Sequence, residues 1–583
     1  MLKFVFGRSG CGKSDYVFNQ IKELAISGEN NILLLTPEQY SLVAERRLLN
    51  DLGEDKVNCV DNSSFSRISN DVRRKYGSDA LPTLSKGGKV ILMCKAIDNC
   101  KDNFQLFNKN LDSLSFVTSM INIYDEMKSC NLDSLQINEL SKNIDNQVLY
   151  KKLADISLIM SAYELLIKDR FNDSSNELTR IYNQIFDKGY FKNKYVFIDG
   201  FNGFVAQEYK LLELIIAEAN CVTITLCTDS YDSDNNYDLF SYVNKSFQII
   251  KRIADKSDVE TQIVNLEENH RFKNDELKVI EKHFFDNSNE TLEANENVHI
   301  YASKNISDEC ENVSREIKQL LRKGYKASEI TVICRDLQKY LSELEYNFSK
   351  YEVPYFRDER QPVNTQSLVV MIEFMLRCIN FSFKSDDILS LAKTGLTDIP
   401  DEDINELENY IFLWNINGLK WTKPFENSTK GFVNELSEAD RNALDKINIT
   451  REKLIAPLVL LKKITKTKDS KKISEGIYNT LISYCADKKV KEYAVLLNKS
   501  GFYSLAQEQG RIWDLVMEIL NQLATTLGEI DLKTYAKMFS LIISCEDLGT
   551  VPSGIDNVQI GQADRIRTDN PKAVFVLGAN EGE

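Results

Sequence analysis

Met1–Ser14 reads MLKFVFGRSGCGKS, and its last eight residues, Gly7 to Ser14, fit the pattern G-x-x-x-x-G-K-[ST]. An apolar run, LKFVF, precedes the pattern and a helical periodicity follows it, the strand–loop–helix context that a phosphate-binding loop requires. Gly7, Gly10 and Gly12 permit backbone conformations that a side chain would obstruct, so successive N–H groups can turn inward around phosphate oxygens at a helix N-terminus. On this reading Gly7, Arg8, Ser9, Gly10, Cys11, Gly12, Lys13 and Ser14 form a nucleotide-binding stretch. Lys13 would reach the β and γ phosphates and Ser14 would hold Mg2+. The alternative is a glycine-rich turn from strand to helix with an exposed lysine. Binding is also not hydrolysis, and no catalytic residue follows from the loop alone.

Working outward, NILLLTPEQ (Asn31 to Gln39) is a second apolar run whose strand ends at Thr36, before Pro37, giving the β-α-β rhythm of a parallel sheet. From about Ser85 to Tyr190 strand signals give way to helical periodicity, as in VILMCKAI and LYKKLADISLIMSAYELLI. Sheet patterns resume at KYVFIDGF (Lys194 to Phe201) and CVTITLCTDS (Cys221 to Ser230). A second α/β segment is expected from near Val298, with VHIYAS and EITVICRD as strands. A long helical region follows from about Leu368 to Cys545, then a final strand in AVFVLGAN. The expected fold is α/β: two parallel-sheet cores, each with one mostly helical insertion.

At 583 residues the chain suggests about four structural units on a prior of ~150 residues per domain. Nine prolines and 24 glycines are few for that length, so helix should dominate. No stretch approaches the ~20 uncharged apolar residues of a membrane span, and no signal peptide precedes the first strand, so no membrane association and a cytoplasmic location are expected. Twelve scattered cysteines without a C-x-x-C pair read as reduced, mostly buried thiols. With His270, His283 and His299 as the histidines and no paired ligand spacing, no structural metal is expected. The formal charge of −15 argues against wholesale coating of nucleic acid but leaves room for a local basic channel. KKITKTKDSKK (Lys462 to Lys472) and KKVK (Lys488 to Lys491) read as solvated helix ends and loops, with DNA contact as the alternative.

Taken in order, FGRSGCGKS, LLLTPEQYSLVAERRLL, YVFIDGFNGFVAQE, LEENHRF, EITVICRD, VPYFRDER and VPSGIDNVQIGQADRIRTDNPKAVFVLGANEGE resemble superfamily 1 DNA helicases. The nearer resemblance is to the AddB family, the second subunits of bacterial AddAB helicase–nucleases. It implies two RecA-like cores of superfamily 1 type: residues 1–84 and 191–290 form the first, with a 1B-like insertion at 85–190. Residues 291–367 and 546–583 form the second, with a 2B-like insertion at 368–545. In the family the chain continues past the position of Glu583 into a nuclease domain and an iron–sulfur cluster, neither expected here.

The resemblance also implies roles for single residues. Asp199 ends an apolar strand where a Walker B aspartate holds Mg2+; the alternative is an ordinary Asp-Gly turn. Active helicases of this kind place a glutamate next, to activate water, and this chain has Gly200, with Glu208 nearby in sequence. Asn269 and Arg271 match L-x-x-N-x-R, whose arginine stabilises charge on the γ-phosphate; a surface arginine before a charged helix is the other reading. TLCTDSYDS lacks the usual glutamine, and VQIGQADRIRT lacks the Gly-Leu-Glu signature. Arg565 and Arg567 either touch a DNA phosphate or lie in an exposed loop. Tyr40, with Glu38 and Gln39, either stacks on a base or packs half-buried.

The expected function is an ATP- and Mg2+-binding, helicase-shaped subunit that pairs with an AddA-like helicase–nuclease subunit as a heterodimer. It would act on single-stranded and broken-end DNA in double-strand-break processing, with a degenerate motor. The competing readings are an autonomous superfamily 1 translocase, a small-molecule P-loop kinase, and a non-enzymatic scaffold in which the loop survives for stability.

Overall fold

The computed structural model describes residues 1–77, 81–109, 111, 113–142, 144–229, 239–285, 290–293, 296–357, 360–432, 436–549, 556–563, 566 and 571–582. The first six strands are β1 (Leu2–Gly7), β2 (Ile32–Leu35), β3 (Val60–Ser63), β4 (Tyr195–Ile198), β5 (Cys221–Cys227) and β6 (Thr261–Asn265). They form one sheet in the order β3-β2-β4-β5-β1-β6, with every pairing parallel. A parallel sheet is covered on both faces, which is why β1 and β2 are near-continuous apolar runs. Phe4, Phe6, Leu33, Leu35, Val196 and Ile198 pack to one side. Ile32, Leu34 and Phe197 pack to the other, against Val17, Phe18 and Ile21 of the helix Lys13–Ser27.

The second core is a four-stranded parallel sheet built from β7 (Ile330–Cys334), β8 (Tyr355–Arg357), β11 (Val558–Gln562) and β12 (Ala573–Val576), in the order β12-β7-β11-β8. Two short strands, β9 (Arg360–Pro362) and β10 (Asp547–Gly549), form an antiparallel ribbon. The fold is therefore α/β with parallel sheets, as the strand pattern predicts. One expected strand is absent: Val298–Ser303 is irregular, and Ile300 is 95% exposed. Its apolar alternation finds no partner strand, and unpaired extended chain does not count as sheet.

Helices fill the chain between β3 and β4 and again between β8 and β11. The two helical segments do not build separate cores. Leu84, Ile91, Met120 and Tyr163 from the first share one continuous apolar cluster with Ile372, Leu458, Val516, Phe539 and Ile542 from the second. The two segments meet tightly at Gly87 in the helix Lys86–Cys100, where an added Cβ would lie 2.8 Å from Cγ2 of Ile542 and against the Gln522 side chain. The helices Phe65–Tyr76 and Glu177–Ile185 belong instead to the first core, through Phe65, Ile68, Ile181 and Ile185.

Each helical segment leaves its sheet through a paired neck. In the first, Leu84 N–H donates to Asn172 O (2.8 Å) and Asn172 N–H donates to Pro82 O (2.9 Å), so the outgoing and returning chains bond to each other. The β9–β10 ribbon does the same for the second. Beside the first neck, buried Lys89 meets Asp173 Oδ1 at 2.8 Å and Asp125 Oδ1 at 3.1 Å. Tyr163 donates to Asp173 Oδ2 (3.1 Å), and Gln207 Nε2 donates to Ser175 O (3.0 Å). Gln207 lies in the helix Ala206–Glu218 that follows β4, so this polar joint links the helical body to the first core. Among the described residues no helix is long and apolar enough to cross a membrane.

Candidate nucleotide site

The loop between β1 and the helix Lys13–Ser27 has the conformation that its glycines allow. Gly10 (φ +90°) and Gly12 (φ +77°) are left-handed, which side chains rarely adopt. The loop is also crowded: a Cβ on Gly10 would fall 2.7 Å from Cβ of Arg271, and one on Gly7 would fall 2.8 Å from Leu266 O. Lys13 Nζ donates to Gly7 O (2.7 Å) and Arg8 O (2.8 Å), so its ammonium is held on the loop's own carbonyls.

The segment after β6 lies directly on this loop. Leu266 N–H donates to Phe6 O (2.9 Å) and His270 N–H to Gly10 O (2.9 Å). Asn269 Nδ2 donates to Ser9 O (3.0 Å), while its Oδ1 accepts the N–H groups of Arg271 and Phe272, both at 3.1 Å. Arg271 Nη1 donates to Ser9 Oγ at 3.1 Å. The structure thus brings Arg271, 262 positions after Ser9 in the chain, against the P-loop. Asn269 is the hinge that shapes the segment for it.

Arg8 does not face the phosphate cradle. Its guanidinium pairs with Asp229 Oδ2 (2.6 Å) and Glu281 Oε1 (2.9 Å), bonds the Glu281 carbonyl, and lies 5.3 Å from the Phe240 ring. Burial pulls its pKa down, but the bonds to Glu281 and Asp229 outweigh this and leave it raised. Arg8 is therefore a clamp for the loop's flank. Cys11 is buried, which pushes its thiol pKa up, and its Sγ contacts Glu267 O at 3.8 Å.

Asp199 follows β4 and is 2% exposed. Its Oδ1 accepts from Thr225 Oγ1 at 2.6 Å, and its Oδ2 has no partner among the described residues. A buried carboxylate oxygen without a partner is costly unless a cation or water completes it. Asp199 is on the same face as Phe197, two residues earlier, and hence on the face covered by the helix Lys13–Ser27. The cradle, the ammonium of Lys13 and the unfilled carboxylate fit a phosphate chain with its divalent cation; Ser14 and Asp199 are the residues that would hold the cation.

Gly200 has φ +82°. A Cβ there would meet only the Pro37 ring, with Cδ nearest at 3.5 Å, so the obstacle to a side chain is backbone strain and not space. Glu208 is engaged elsewhere: Oε2 accepts the Val205 N–H (2.9 Å), closing the first turn of the helix Ala206–Glu218. Tyr40 is half-buried against the apolar cluster that includes Ala44 and Leu48. Arg565 and Arg567 lie outside the described residues, as does Ser230–Ser233 of TLCTDSYDS. The sequence reading missed the Arg8 clamp and Thr225; the alternating threonines of CVTITLC in a buried strand were the available signal for the latter.

Comparison with known proteins bears on these motifs together. Residues 4–281 match the family described as ADDB, N-terminal, and residues 264–479 match the UvrD-like helicase C-terminal domain. A protein of Clostridium novyi, named as a subunit of an ATP-dependent helicase/deoxyribonuclease, is 29% identical over 591 residues, covering 100% of this chain and 51% of the relative. Identically named proteins from Clostridium botulinum (strain Loch Maree) and Acetivibrio thermocellus are 30% and 29% identical over 601 and 599 residues, each covering 100% of this chain and 52% of the relative. The chain spans about half the length of the curated relatives it matches. With the P-loop, the Asp199 strand end and the Asn269–Arg271 segment in the first core, residues 4–281 match an AddB N-terminal domain, joined to a helicase C-terminal domain of the UvrD type.

Proposed function

We propose that this chain binds ATP with Mg2+ at the Gly7–Ser14 loop and serves as the helicase-like subunit of a cytoplasmic, heterodimeric helicase–nuclease. Its partner is an AddA-like motor and nuclease subunit, and its substrate is broken-end and single-stranded DNA processed for recombinational repair. Its own motor is degenerate and guides or scans the strand. The observation that carries the degenerate reading is Gly200: the position after Asp199 has no carboxylate and a backbone at φ +82°, and Glu208 is occupied as a helix cap. Lys13, Ser14, Asp199 and Arg271 supply phosphate binding, cation binding and charge stabilisation, whereas the position after Asp199 offers no carboxylate to activate water.

The test is ATP-dependent thermal stabilisation beside ATP turnover with and without single-stranded DNA. A ligand at a hundredfold excess over Kd stabilises by about 2.7 kcal/mol. The expected result is a clear shift without measurable turnover, abolished in Lys13→Ala, whose nucleotide-free melting point stays near the parent's. The second reading, an autonomous translocase, is favoured by Arg271 being held against Ser9. DNA-stimulated turnover that disappears in Lys13→Ala would select it and overturn the degenerate motor.

A further inference from the structure

Thr36 directly follows β2 and is fully buried, yet its Oγ1 has no hydrogen-bond partner among the described residues. Thr331 and Thr397 also have buried, unpartnered hydroxyls. Thr36 differs from them in what stands next to it. β2 and β4 pair with Leu35 opposite Ile198, and the Asp199 N–H donates to Leu35 O at 3.0 Å, extending the ladder by one residue. Thr36 and Asp199 are therefore lateral neighbours on adjacent strands, which run about 4.8 Å apart. On the other side, Ile198 lies opposite Ile224, which puts Asp199 beside Thr225, the donor to its Oδ1.

The row Thr36, Asp199, Thr225 thus crosses three strands at their C-terminal ends. Strand alternation puts Thr36 on the face of Leu34, and Asp199 on the face of Phe197, the side covered by the P-loop helix. One oxygen of Asp199 is filled by Thr225 and the other is unfilled, and Thr36, the next residue across the row, carries a second unpartnered oxygen. Two orphaned oxygens in one dry row are each costly alone. A single hydrated cation satisfies both, since its bound waters donate to a carboxylate and to a hydroxyl alike. A valine at position 36 would have the same shape without the polar cost, so the hydroxyl has no packing role to fill.

We infer that Thr36 is a further positioning residue of the cation site: its hydroxyl and the free Oδ2 of Asp199 jointly hold the water shell of the Mg2+ that accompanies ATP. This rests on the nucleotide-binding reading above. It gives the strand before Pro37 a part in nucleotide binding that motif matching does not assign to it.

The test compares Thr36→Val and Thr36→Ser with the parent chain. The readouts are Mn2+ binding followed by electron paramagnetic resonance in the presence of ATP, and ATP-dependent thermal shift with Mg2+ or with EDTA. Loss of a residue that orients a metal's bound groups weakens metal affinity by about tenfold or more. Thr36→Val is expected to show that loss, with an unchanged response to ATP in EDTA and a nucleotide-free melting point no lower than the parent's. Thr36→Ser is expected to stay close to the parent. The inference is overturned if Thr36→Val binds Mn2+ as the parent does, or if Thr36→Ser fails equally, which marks a packing effect. If the parent itself shows no response to ATP with or without metal, the nucleotide-binding reading falls and this inference falls with it.

Discussion

Glu208 is the nearest carboxylate after Gly200 in the chain, and its surroundings argue for a structural task. Burial raises its pKa, opposed by the bond from the Val205 N–H. A carboxyl whose folded pKa is raised contributes stability that is complete below its unfolded pKa and lost as pH rises through the folded one. Above its folded pKa the group is charged and partly desolvated, so at alkaline pH Glu208→Gln, which keeps an oxygen to accept the Val205 N–H, is expected to raise the melting point. The difference should shrink as pH falls through the carboxylate range, the folded carboxyl taking up its proton before the unfolded one does. A pH series of thermal melts checks this, and ATP-dependent stabilisation should be unchanged in the variant. At this scale the P-loop was legible because glycine spacing encodes local backbone geometry. The Arg8 clamp was not, because its partners lie 221 and 273 residues away. Nor was Thr36 legible, since an orphaned hydroxyl is defined only by what surrounds it.

Between elements, Gly87 sets how closely the helix Lys86–Cys100 meets the helix Leu532–Cys545. In an isolated helix Gly→Ala is favourable by about 1 kcal/mol. Here the added methyl meets Ile542 and Gln522, and overpacking of a filled core costs about 1–3 kcal/mol. Gly87→Ala is therefore expected to destabilise by about 1 kcal/mol net, read from denaturant midpoints; a stabilised variant would mean that the two helices are not in contact at this point. Strand positions were legible where both faces are covered, as in FVF of β1 and ILLL of β2. Val298–Ser303 misled because alternation marks a strand's potential and not its partner, and register with a neighbour is a property of two segments.

For the molecule as a whole, the shared apolar cluster makes one helical body from two segments far apart in sequence. Four units suggested by length become two sheet cores and this body. Periodicity shows that each helix has an apolar face, but not which distant helix covers it, so the merger was invisible in the sequence. Hydrogen exchange is expected to report the helices Lys86–Cys100 and Leu532–Cys545 opening with the same free energy, as one cooperative unit. Two distinct opening energies there would separate them again.

The paired necks carry a mechanical consequence. A globule tied to its neighbour by one strand swivels freely about single bonds, whereas one tied by two cross-bonded strands behaves as a paddle on a flat strap. Such a strap flexes across its broad side and resists shear in its plane and rotation about its length. Each sheet core therefore has a preferred bending axis set by its neck: the Pro82–Leu84 and Asn172 crossing for one, the β9–β10 ribbon for the other.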